Sequence, residues 1–89
     1  MATLRERRQY REAVLCALYE AIAENRSSLS GETLRDAVRL PDEDLAAACS
    51  YLADEGLVSV EWTSHRTPAI VTITHEGLRR MEAAEDRES

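Results

Sequence analysis

The chain has 89 residues, of which 44% are hydrophobic, 11 are basic and 17 are acidic, so its formal net charge is −6. This length and apolar content predict one small globular domain, residues 1–89, with a limited core within 3–86 and a frayed polar tail at 87–89. The negative charge argues against a protein that coats nucleic acid regardless of its sequence, because such proteins neutralise phosphates with cationic surfaces.

The first predicted element is a helix over residues 3–25. Val14, Leu18 and Ile22 recur every four residues and form the apolar stripe of an amphipathic helix. Its first turns mix arginine with glutamate, a pattern typical of a solvated helix face. The alternative interpretation is that these arginines contact phosphate. The arginines of these turns are Arg5, Arg7, Arg8 and Arg11.

A second helix is predicted over Gly31–Val38. Ser30 precedes it as a suitable N-cap, because its side-chain oxygen can accept a hydrogen bond from the free amides of the first turn. We expect this helix to bury Leu34, Ala37 and Val38.

Residues 39–41 form the turn into a third helix, which is predicted over Asp42–Glu55. The helix opens with three consecutive carboxylates, which the positive end of its dipole favours. Leu45, Cys49 and Leu52 recur on one face, so we expect these side chains to be buried.

Two strands and a last helix follow. The segments Leu57–Thr63 and Ala69–Ile73 are rich in β-branched residues and alternate apolar with polar positions, as half-buried strands do. The segment Ser64–Pro68 between them is the predicted tip of a hairpin. Trp62 is expected to close the core or a dimer interface, and the final helix is predicted over His75–Asp86.

The remaining composition points to the cytoplasm. The first residues, MATLRERRQYREA, carry arginines with no apolar stretch after them, and no apolar run approaches the ~20 residues of a membrane span. We therefore expect a cytoplasmic protein that does not bind membranes. Cys16 and Cys49 should stay reduced there, and no CxxC or HxxxH spacing indicates a metal site. We expect no cofactor.

The pieces LADEGLVSV and VTITHEGLRRM, placed behind two earlier helices, resemble the winged helix-turn-helix superfamily of MarR-like and PadR-like bacterial transcription regulators. The resemblance covers residues 10–81. It implies an α+β, mostly helical fold with three helices, a two-stranded β-hairpin wing and a C-terminal helix. It also implies a homodimer, formed through the first and last helices, that binds double-stranded DNA with its third helix in the major groove.

The resemblance assigns DNA contacts to the third helix and to the wing tip. The first turn and outer face of the helix would reach base edges, while His65 and Arg66 would lie over the phosphates or the minor groove. Arg35 and Arg39, near the turn, would make the local field positive if they converge with Arg66 around the helix. The residues expected at the base edges are Asp42, Glu43, Ala46, Ala47 and Ser50.

The chain departs from the family pattern in two places. Arg39 stands where the turn usually contains a glycine, and the third helix has five acidic residues and no basic one. The acidic helix favours an alternative function, a protein-interaction module that binds a basic partner or mimics DNA. An enzyme is the weakest hypothesis, because no nucleophile–base pair, glycine-rich phosphate loop or metal motif is recognisable. We therefore expect a non-enzymatic DNA-binding regulator.

Overall fold

The computed structural model describes residues 3–88, and side chains over residues 3–86. These residues form an α+β, mostly helical fold, as the sequence predicts. The last helix continues two residues beyond its predicted end, into the predicted polar tail, and residue 89 lies outside the described residues. The elements are α1 (Leu4–Ala23), β1 (Ser28–Ser30), α2 (Gly31–Val38), α3 (Asp42–Asp54), β2 (Val58–Trp62), β3 (Pro68–Ile73) and α4 (His75–Glu88).

Side-chain caps begin three of the four helices. At α1, the Thr3 hydroxyl accepts from the Glu6 amide at 3.1 Å and the Glu6 carboxylate accepts from the Thr3 amide at 3.2 Å. The hydrogen bond from the Thr3 amide is the main reason that the pKa of Glu6 is lowered. Ser30 caps α2 by accepting from the Thr33 amide at 3.1 Å, as predicted, and Thr74 caps α4 in the same way. These bonds satisfy amides that have no partner inside the helix.

The sheet has three antiparallel strands in the order β1-β3-β2, whereas the sequence predicts only two. The missed strand, β1, covers Ser28–Ser30, a segment predicted to be a loop. Its Leu29 pairs with Val71 of β3, and Val60 of β2 pairs with the same Val71 from the other side. β2 and β3 match the two predicted strands to within one residue at each end.

One hydrophobic core joins the sheet to the helices. The prediction that Ala37 is buried is wrong, because α2 packs along the stripe of Gly31, Leu34 and Val38, and Ala37 falls beside it. Trp62 does not close the core either, since it is 43% exposed. The register between β2 and β3 shifts just before Trp62, and such a bulge breaks the alternation that placed this residue inward. The most deeply buried side chains are Leu18, Leu34, Val14, Val71 and Cys49.

α1 is the central packing element of the helices, because α2, α3 and α4 all contact it. α1 and α4, the two helices expected to form a dimer, meet within one chain, where the Tyr19 hydroxyl donates to the Glu85 carboxylate at 3.0 Å. That hydrogen bond is the main reason that the pKa of Tyr19 is raised. Among the described residues, no helix is both long enough and apolar enough to cross a bilayer.

Candidate nucleic-acid interface

The turn between α2 and α3 contains a residue in the left-handed region of the backbone map. Arg39 has φ 54° and ψ 45°, and its amide donates to the carbonyl oxygen of Arg35 at 2.7 Å, which closes α2. A residue with a Cβ pays roughly 1–2 kcal/mol for this conformation, which glycine adopts freely. Arg39 therefore occupies the position where the family pattern has glycine and adopts the backbone conformation that glycine would adopt. Its side chain is exposed.

The hairpin tip is ordered by hydrogen bonds to Thr63. The Thr63 amide donates to the Thr67 carbonyl at 2.9 Å, and the Arg66 amide donates to the Thr63 carbonyl at 3.1 Å. The Thr63 hydroxyl also accepts from the amides of His65 at 3.2 Å and Thr67 at 3.3 Å. Arg66 completes the loop with φ 62°, the left-handed position of a three-residue hairpin loop. The tip therefore presents the exposed His65 and Arg66 on a defined backbone.

The start of β3, next to the hairpin tip, lies against the amino ends of α2 and α3, and a groove of about 300 Å³ runs between them. Gly31, the first residue of α2, makes this approach possible, because a Cβ there would clash with the carbonyl oxygen of Pro68. Arg35, Asp42 and Thr67 also line the groove. We call it the wing groove. It brings the predicted Arg35 and Asp42 next to the tip end of the predicted wing.

Arg35 and Asp42 form an ion pair inside the wing groove. The Arg35 guanidinium donates to the Asp42 carboxylate at 2.8 Å, and both side chains are about half exposed. This hydrogen bond is the first cause of the raised pKa of Arg35. Two residues predicted to contact DNA are thus paired with each other, and the positive charge of Arg35 is offset locally.

The outer face of α3 carries three of the residues predicted to reach base edges. Glu43, Ala47 and Ser50 are all exposed, and their spacing places them on one side of the helix. Ala46 is half-buried beside them. The structure therefore presents this stripe to solvent as one continuous surface, with Asp42 at the edge that faces the wing groove.

A second groove, of about 310 Å³, separates α3 from the amino-terminal half of α1. Its walls include Arg7, Tyr10 and Arg11 from α1 and Tyr51 from α3. The Arg11 guanidinium carbon lies 3.9 Å from the centroid of the Tyr51 ring, a cation–π contact. We call this the helix groove. The sequence did not single out Tyr51, although its place one turn after the exposed Ala47 was an available signal.

The two cysteines differ in environment. Cys49 is buried on the inner face of α3, as predicted, and burial raises the pKa of its thiol to about 11. At neutral pH it is a protonated, apolar core side chain. Cys16 is exposed. Within residues 3–86, no three His, Cys, Asp or Glu side chains are grouped so that they could hold a metal ion.

No family model matches the chain, and no curated protein or solved structure shows a significant similarity to it. A functional assignment therefore has to come from the residues and geometry of the chain itself.

Proposed function

We propose that the protein is a winged helix-turn-helix regulator that binds double-stranded DNA in the cytoplasm as a homodimer. In this proposal α2, the turn at residues 39–41 and α3 form the helix-turn-helix, and β2 with β3 forms the wing. The observation that carries it is the backbone of Arg39 and Arg66. Both arginines are exposed, and both hold the left-handed conformation that glycine would adopt with less strain.

Residues with strained backbone cluster at functional sites, where the surrounding structure holds them in place. Asn25 has the same conformation, with φ 64°, but asparagine tolerates it far better than arginine does. Among the described residues, no carboxylate oxygen lies within 4.0 Å of the Arg39 or Arg66 guanidinium. Both charges are therefore available to a partner, and arginine suits phosphate because its planar donors match the phosphate oxygens.

The variants Arg39→Gln and Arg66→Gln test the proposal, because each removes a charge and keeps a residue with a Cβ. A duplex selected from a genomic pool would be titrated by fluorescence anisotropy across a range of salt concentrations. In the homodimer each substitution removes one phosphate contact per subunit, so each variant should bind more weakly and lower the slope of log K against log salt by about 1.8.

Arg80→Gln is the matched control, since Arg80 is exposed on α4 and the change in charge is the same. It should behave like the wild type. The proposal is wrong if the wild type binds no duplex at low salt, or if all three variants keep the wild-type slope.

A second candidate function is the binding of a basic protein by α3. It is favoured by the charge of the helix, which presents Glu43 and Asp54 on its exposed side and has no basic residue. The variant Glu43→Lys/Asp54→Lys would be compared with the wild type in a pull-down from cell extract. A protein captured by the wild type and lost by the variant, together with absence of DNA binding, would replace the first proposal with this one.

A further inference from the structure

The two grooves flank the outer face of α3. Asp42 borders the wing groove, and Tyr51 borders the helix groove. The exposed stripe of Glu43, Ala47 and Ser50 forms the α3 edge of the helix groove, which Glu43 and Ala47 also line, because helical spacing turns these positions away from the buried face. A ligand that covers the stripe would therefore meet the wing on one side and α1 on the other.

A helix in the major groove of DNA has a phosphate backbone on each side, since that groove is about 12 Å wide. α3 has no cation of its own, so phosphate contacts have to come from the elements beside it. On the wing side, Arg66 meets this need. On the other side, the cations nearest to α3 in the helix groove are Arg7 and Arg11, which lie one turn apart on α1.

We propose that Arg7 and Arg11 bind the phosphate backbone opposite the wing, so that α3 is held between cations on both sides. This inference rests on the proposed DNA binding and adds a second phosphate-binding element to it. Tyr51 acts as a positioning residue. Its ring lies against the Arg11 guanidinium at 3.9 Å, which restricts the side chain before binding and reduces the entropy lost when a phosphate is bound.

The charges around the helix groove agree with this assignment. Glu43 and Asp44 also line the groove, yet among the described residues no carboxylate oxygen lies within 4.0 Å of Arg7 or Arg11. The guanidinium donors of both arginines are therefore open to phosphate oxygens. Arg8 differs, because it pairs with Glu12 of the same helix at 3.6 Å and does not line the groove.

The test compares Arg7→Gln and Arg11→Gln with Arg8→Gln, a control that makes the same charge change on the same helix. Binding of the selected duplex would be titrated by anisotropy between 50 and 200 mM salt. Arg7→Gln and Arg11→Gln should each remove one contact per subunit of the dimer and lower the log–log slope by about 1.8, so that this fourfold rise in salt weakens binding about 12-fold less than in the wild type. Arg8→Gln should keep the wild-type slope.

Tyr51→Leu and Tyr51→Phe test the positioning role. Tyr51→Leu keeps the Arg11 charge, so it should reduce affinity several-fold with little change in slope, whereas Tyr51→Phe retains the ring and should bind like the wild type. Circular dichroism and the melting temperature would confirm that each variant is folded.

The outcomes separate the two proposals. If Arg39→Gln and Arg66→Gln lower the slope while Arg7→Gln and Arg11→Gln do not, the assignment to α1 is wrong and DNA binding stands. If the wild type binds no duplex even at low salt, both fail together. Equal losses of slope in Arg8→Gln and Arg11→Gln would also overturn the inference, because the effect would then follow net charge rather than the helix groove.

Discussion

At the scale of single residues, the backbone at Arg39 and Arg66 predicts an effect on stability. Arg39→Gly and Arg66→Gly should each raise the free energy of unfolding by about 1 kcal/mol, because glycine adopts a left-handed conformation without a clash at Cβ. For a domain of this size, that gain raises Tm by roughly 4–8 °C. Urea unfolding measures it directly. Asn25→Gly should gain only a few tenths of a kcal/mol, because asparagine is less strained there.

The same glycine variants should lose affinity for DNA, because they also remove the two arginine side chains. Asn25→Gly serves as the control, since it relaxes the same backbone conformation and should leave DNA binding unchanged. If Arg39→Gly lowered stability instead, the turn would not be strained, and the main support for a functional role of Arg39 would be lost.

At the scale of elements, the contact between α2 and β3 decides where the hairpin lies. Gly31→Ala should cost about 2–3 kcal/mol of unfolding free energy, although alanine is the better helix former, because its Cβ would displace the backbone at Pro68. Gly56→Ala is the comparison. A Cβ at Gly56 would meet open space, so only its φ of +77° opposes the change, at about 1 kcal/mol.

Urea unfolding of both glycine variants distinguishes close packing from backbone strain. A cost at Gly31 no larger than the cost at Gly56 would contradict the close approach of α2 to β3. If the approach is as tight as observed, Gly31→Ala should also weaken DNA binding, because the start of β3, next to the hairpin tip, would move relative to α3.

The elements differ in how well the sequence predicts them. The four helices and the strands β2 and β3 carry apolar residues at helical or strand spacing, and the sequence places them to within about two residues. β1 has only the residues Ser-Leu-Ser, which are too few for a periodic signal and rich in a residue typical of turns. It becomes a strand only because β3 lies beside it, and that neighbour comes from tertiary packing.

The sequence likewise predicts some features of the candidate site and misses others. The positions of Arg39 at the turn and Arg66 at the hairpin tip follow from the order of the elements, so the sequence finds them. The ion pair of Arg35 with Asp42 and the stacking of Arg11 on Tyr51 depend on how separate helices pack, and no local pattern encodes them.

At the scale of the whole molecule, the acidic charge of α3 would oppose the proposed DNA binding and would shape its selectivity. A net charge of −6 weakens attraction to any duplex, so the proposed binding would have to depend on the few cations around α3. Glu43 lies on the exposed stripe, where its carboxylate can accept a hydrogen bond from cytosine N4 but is repelled by phosphates. The chain would thus have a lower affinity for DNA in general and a stronger discrimination between DNA sequences.

This balance predicts the behaviour of Glu43→Gln/Asp54→Asn, which changes the net charge from −6 to −4 (−6 + 2). A charge pair at roughly 8 Å in water interacts by about 0.5 kcal/mol, so removing two carboxylates from each subunit should tighten binding to an unrelated duplex roughly fivefold per subunit. Glu20→Gln/Glu24→Gln changes the net charge equally on the carboxyl-terminal part of α1 and should have a smaller effect. The preference for the selected duplex should fall in the first variant alone, because the charged acceptor for cytosine N4 becomes a weaker, neutral amide oxygen. Anisotropy titrations on both duplexes measure the two effects together.

If both double variants tightened binding equally and kept the preference, α3 would not lie against the bases. Its acidic face would then be available to a protein partner.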